Sequence, residues 1–83
     1  MTSVKAVKLH YYAAFHEAAG LREEDWRSVA TTAAELYDEV AAHHGFRFDR
    51  STLRVALNDC VVSWESEIRD GDTVVFLAPY AGG

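Results

Sequence analysis

Thr73-Val74-Val75-Phe76-Leu77-Ala78-Pro79-Tyr80-Ala81-Gly82-Gly83 is the stretch that decides how this chain is read. From Val74 to Ala78 every residue is apolar, so a strand here carries apolar side chains on both faces. A strand of that kind belongs in the middle of a sheet, covered on both sides. Asp70-Gly71-Asp72 just before it is a strong turn signal. Pro79 then ends the run, and two glycines follow with no helix or strand to serve. By average composition a Gly-Gly pair falls at a given position with a chance of roughly half a percent. Glycine has no Cβ, so such a segment can pass through a channel too narrow for other residues. It carries the Gly83 carboxylate on a thin tether.

Working back from that strand, the rest of the chain reads as two strands, one helix and two short strands. In residues 4–12, Val7, Leu9 and Tyr11 alternate with Lys8 and His10, the period of a half-buried strand. Residues 13–19 make a helical turn or two, stopped by Gly20. Residues 21–25 are charged and turn-like, and residues 26–29 form a second strand paired back on the first. Thr32 stands three residues before Glu35, the spacing of a capping box. Ala33, Leu36, Tyr37, Val40 and Ala41 then make one apolar stripe at helical spacing. That helix runs over residues 32–44 and Gly45 ends it. Residues 46–52 are a loop. Leu53, Val55 and Leu57 mark a third strand, Asn58-Asp59 a turn, and residues 60–63 a short fourth strand. Residues 65–69 are polar around Ile68.

One helix across one face of a mixed sheet is an α+β layer pair. The first and last strands are the longest and most apolar, so they are expected as neighbours at the centre. That arrangement is a β-grasp, the fold of ubiquitin. We read residues 1–78 as the domain and residues 79–83 as a flexible tail.

Composition narrows the partners. Thirteen acidic residues against eight basic ones give a net charge of −5. That argues against nucleic acid or an anionic membrane and fits a protein surface rich in Arg or Lys. The one cysteine, Cys60, excludes an internal disulfide and agrees with a reducing compartment. Residues 1–12 hold no apolar signal segment, and no apolar run approaches the ~20 residues that span a bilayer. A cytoplasmic protein is the expectation.

The sequence offers little catalytic chemistry. His43 and His44 are adjacent on a helix, where side chains diverge by about 100°. His10 and His16 lie on other elements. With neither His-Glu-x-x-His nor Cys-x-x-Cys spacing, we read no metal site. The two histidines suit the negative end of the helix dipole. Cys60 has no base beside it and reads as a small buried or edge residue. Asp70 and Asp72 are explained by their turn. Gly83 is the one chemically distinctive group. A carboxylate is a poor acyl donor. It must first become a mixed anhydride with AMP from ATP, which sulfide or a persulfide then displaces to leave a thiocarboxylate, a soft nucleophile near neutral pH.

Several pieces taken in order resemble one family. They are Tyr11-Tyr12-Ala13-Ala14-Phe15-His16-Glu17-Ala18-Ala19-Gly20, Thr32-x-x-Glu35-Leu36, Val55-Ala56-Leu57-Asn58, Asp70-Gly71-Asp72-Thr73-Val74, and the ending from Pro79 to Gly83. Together they resemble the small subunit of molybdopterin synthase, a ubiquitin-like sulfur carrier. The resemblance implies that a ubiquitin-activating-like adenylyltransferase adenylates Gly83 with ATP and a sulfurtransferase thiocarboxylates it. It implies that Pro79, Tyr80, Ala81 and Gly82 enter the large synthase subunit, in a heterotetramer, and that the sulfur passes to cyclic pyranopterin monophosphate in molybdenum cofactor biosynthesis. The chain would then catalyse nothing alone and hold no permanent cofactor. Tyr12, Val61 and Leu77 match positions that face the large subunit. His16 stands where the family often has an arginine, and Ala78-Pro79 where it often has Pro-Pro. The related alternatives are a carrier for thiamin thiazole or cysteine synthesis and a ubiquitin-like protein modifier.

Overall fold

The computed structural model describes residues 3–78. The elements run β1 (Lys5–His10), α1 (Ala14–Ala19), β2 (Glu23–Ser28), α2 (Ala33–His44), a 3-10 turn (Arg50–Thr52), β3 (Arg54–Leu57), β4 (Cys60–Val62) and β5 (Thr73–Leu77). They form one five-stranded sheet in the order β2-β1-β5-β3-β4. β1 and β5 are the parallel pair at its centre, in register Leu9 to Val74. β2 pairs antiparallel with β1, and β3 pairs antiparallel with both β5 and β4. This is the β-grasp arrangement expected from the element order.

α2 lies over one face of the sheet. Leu36, Tyr37 and Val40 of the helix meet Leu9, Val55, Val74 and Phe76 of the strands in one buried cluster. Each such large side chain contributes about 1.5–3 kcal/mol on burial. Phe15 from α1 closes one end of the core, its ring 4.7 Å from Phe48 and 5.2 Å from Phe46. Residues 46–48, read as plain loop, therefore supply two rings to the core.

The start of α2 is fully satisfied. Four backbone N–H groups of a helix's first turn have no partner within the helix. Here Ala33 N donates to Ser66 O and Ala34 N to Trp64 O, both at 2.9 Å. Glu35 N donates to the Thr32 hydroxyl, and the Glu35 carboxylate accepts from Thr32 N and Thr31 N. The capping box forms as expected. The polar segment around Ile68 acquires a purpose: fully buried Ile68 anchors a strip of backbone whose carbonyls cap the helix.

The turns follow their residues. Asn58 and Asp59 both have positive φ, 52° and 72°, as a two-residue hairpin turn needs. Gly71 sits at φ 90°, in the region open to glycine. Its N–H donates to Ala6 O, and the Asp70 carboxylate accepts from Ala6 N at 2.7 Å. That turn therefore pins the start of β1 beside β5.

Two expectations need correction. β2 begins at Glu23, so residues 23–25 belong to the strand and not to a turn. Its inward positions are Glu24, Trp26 and Ser28, and the first and last are polar. β5, in turn, is covered on one face only. Val74 and Phe76 are buried under α2, while Val75 and Leu77 point to the other face and stay half-exposed.

Candidate functional site

Among the described residues, the face of the sheet away from α2 carries no helix. Strand pairing lines up one row across it: Val61 opposite Ala56, Ala56 opposite Val75, Val75 opposite His10, and His10 opposite Glu23. The row is apolar over β4, β3 and β5 and polar over β1 and β2. Leu77 lies two positions along β5, opposite Arg54. At the polar end Lys8 lies 3.9 Å from Glu23 and 3.6 Å from Asp25, and His10 lies 3.8 Å from Glu23. These exposed pairs contribute little stability, but they leave acidic charge beside an apolar strip.

The sequence-chosen residues distribute around this face. Val61 is 62% exposed and Tyr12 58% exposed, high values for side chains of that size. Leu77 is half-buried at the end of β5 and His16 half-buried on α1. Tyr12 and His16 come close through one tight turn, in which Tyr12 O accepts from Phe15 N at 3.0 Å. Ala13 in that turn has φ 50°, a value alanine seldom adopts. Pro79, Tyr80, Ala81, Gly82 and Gly83 lie outside the described residues. β5 ends at Leu77, so the apolar strip reaches the C-terminal end of the described residues.

No nucleophile is paired with a base among the described residues. Cys60 is an exposed free thiol on edge strand β4, without a side-chain partner among the described residues. A depression of 580 Å³ beside Lys8, Asp25 and Trp26 gathers no convergent catalytic set.

A second polar cluster was not foreseen. The Tyr11 hydroxyl donates to Glu24 Oε1 at 2.8 Å, and His44 Nε2 lies 2.8 Å from the same oxygen. Burial, then the Glu24 hydrogen bond and charge, push the Tyr11 hydroxyl far above its ordinary range. Burial would raise the Glu24 carboxyl too, but hydrogen bonds from His44 and Tyr11 and the charges of His44 and His43 hold it below the usual carboxylate range. The rings of His43 and His44 meet edge-on, with centroids 4.8 Å apart, so the expected divergence does not separate them. Reading residues 23–28 as one strand with Glu24 inward is the signal that would have found this group.

The family model described as the ThiS family matches residues 9–83. The chain belongs to the ThiS family. A search of curated proteins returned no match. Among solved structures, the Pyrococcus furiosus protein described as a molybdopterin converting factor, subunit 1, is 29% identical, with a TM-score of 0.77 over 90% of this chain and 98% of that one. The complex of subunits 1 and 2 of the molybdopterin-converting factor from Helicobacter pylori matches at 23% identity and TM-score 0.61, over 94% and 99%. The small archaeal modifier protein 1 of H. volcanii matches at 17% identity and TM-score 0.75, over 90% and 98%. The last two likenesses concern the fold alone. This ThiS-family chain thus has the fold that sulfur carriers share with ubiquitin-like modifiers. Among its described residues no helix is long and apolar enough to cross a membrane.

Proposed function

We propose that this ThiS-family protein is the sulfur-carrying small subunit of a molybdopterin synthase, with Gly83 as the carrier residue. One observation carries the reading: an apolar strip of Val61, Val75 and Leu77 lies on the uncovered sheet face, and β5, which carries two of the three, is the last strand before the Gly82-Gly83 pair in sequence. An exposed apolar patch of this sort suits a protein partner, and the similar H. pylori protein is in complex with a second subunit.

The chemistry follows from the carboxylate. Gly83 attacks the α-phosphate of ATP in the site of an activating adenylyltransferase, and pyrophosphate leaves. Sulfide, or its equivalent from a sulfurtransferase, attacks the acyl carbon. AMP leaves and a thiocarboxylate remains. The tail, Pro79 to Gly83, then enters a pocket of the large subunit. There water is excluded and the partner's groups orient the reaction. The sulfur passes to cyclic pyranopterin monophosphate.

Intact mass after incubation with ATP, an activating enzyme, a sulfurtransferase and a sulfur source tests the first half. A gain equal to exchange of one oxygen for sulfur, absent when Gly83 is deleted, supports the carrier. No gain from a folded protein overturns it. Conversion of cyclic pyranopterin monophosphate with a large subunit then tests the acceptor. A charged carrier that serves only thiazole or cysteine synthesis, or that ends in isopeptide bonds to lysines, overturns the molybdopterin assignment and leaves the adenylation step intact.

A further inference from the structure

We propose that Glu24, His43 and His44 form a binding site for a divalent metal ion of zinc-like character. β2 turns Glu24 inward, opposite Leu9, and the last turn of α2 brings the two histidines over it. One donor atom from each of the three lies within 4.8 Å of the others.

The donor set is two imidazoles and a carboxylate, which zinc and its neighbours favour. Two such donors, each about 2.0–2.1 Å from a tetrahedral ion, stand roughly 3.3 Å apart. His44 Nε2 and Glu24 Oε1, now 2.8 Å apart, have only to open by about half an ångström. His43 is exposed at the end of the helix, and its donor nitrogen, within 4.8 Å of the other two, has to close to the same spacing. Water takes the fourth position.

The surroundings already hold these ligands. The Tyr11 hydroxyl donates to the same Glu24 oxygen and so fixes the carboxylate, as hydrogen bonds to a ligating carboxylate do in metal sites. Phe46 stacks on His44 at 5.4 Å and Trp26 meets His43 edge-on at 5.2 Å. The side chains of Glu24 and His44 are only 20% and 11% exposed. On binding, the Nε2 lone pair of His44 takes the ion, so the ring proton sits on Nδ1 and any second ring proton leaves to solvent. Two neutral imidazoles and one carboxylate leave the occupied site at +1, acceptable in a chain of net charge −5. The ion would tie edge strand β2 to the end of α2, away from the open sheet face.

The test is calorimetric titration of the untagged chain with zinc chloride, alongside the visible spectrum with cobalt(II). The expected result is one saturable site per chain with an intense low-coordinate cobalt band. Affinity should fall at least about tenfold in His43→Ala and in Glu24→Gln, using the scale of losses at metal sites, and stay unchanged in His10→Ala. His43 is exposed, so its variant reports on binding without loss of the fold, checked by circular dichroism. Absence of a saturable site, undiminished binding in His43→Ala, or an equal loss in His10→Ala would each overturn the proposal.

Discussion

Leu9 and Val74 face each other across the parallel pair at the centre of the sheet, and neither side chain is exposed. The pair joins the first strand to the last under the middle of α2. Truncating Leu9 to Ala leaves a cavity that neighbouring strands cannot close. The expected cost is about 2–5 kcal/mol, read from urea unfolding. In a domain this small that is a large share of the total stability.

Thr32→Ala removes one half of the capping box while leaving the backbone caps from Ser66 and Trp64 in place. The expected loss is about 1 kcal/mol, read from the same unfolding curves. A fully additive loss with Ser63→Ala, a residue outside the box, would confirm that the effect is local.

Glu35 carries a pH signature. The backbone N–H groups of Thr31 and Thr32 hold its carboxyl below the usual carboxylate range. A group with a depressed folded pKa stabilises the fold above its unfolded pKa and loses that contribution as pH falls through the folded one. Wild type should therefore exceed Glu35→Ala in stability at neutral pH, and the gap should shrink on acidification below the ordinary range. A gap that is flat with pH would contradict the assignment.

Tyr11 gives the opposite direction. Its hydroxyl is raised far above the ordinary value by burial and by Glu24. The folded state holds that proton more tightly, so its contribution is complete below about pH 10 and is lost as pH rises above it. Ultraviolet titration of the folded chain should show Tyr11 still un-ionised above the ordinary phenol range. Tyr11→Phe should remove one late-titrating phenol from that curve.

Val61→Asp tests the open face. Val61 is mostly exposed, so stability should change by less than about 0.5 kcal/mol. Binding to a large synthase subunit should weaken at least about fivefold, the size of a contributing interface residue. Equal binding by calorimetry would remove the apolar strip from the interface.

Which parts of the fold could be read in advance is a matter of how each residue earns its place. α2 was legible because its cap and its stripe are both local. The Asn58-Asp59 and Asp70-Gly71-Asp72 turns were legible because side-chain chemistry and positive φ dictate them. β2 was half-hidden because two of its inward residues are polar: Glu24, whose partner His44 comes from the end of α2, and Ser28, whose hydroxyl accepts from the nearby Ala30 N–H. An edge strand also tolerates charge that reads as turn. Val75 and Leu77 read as buried because apolar character alone does not say whether a helix covers that face of the sheet. The Glu24 cluster was missed for the same reason as β2: the packing of the end of α2 against β2 brings together residues 20 apart.

The strand order also sets a timetable. β1 lies between β2 and β5, and β2 is made soon after it, whereas Thr73–Leu77 is made 63 residues after His10 by chain position. While the chain is being synthesised, one edge of β1 stays bare and α2 has half a sheet beneath it. The sheet closes from its middle, once β5 arrives with β3 at its side. Until then the open edge of β1 is a place where another chain could pair.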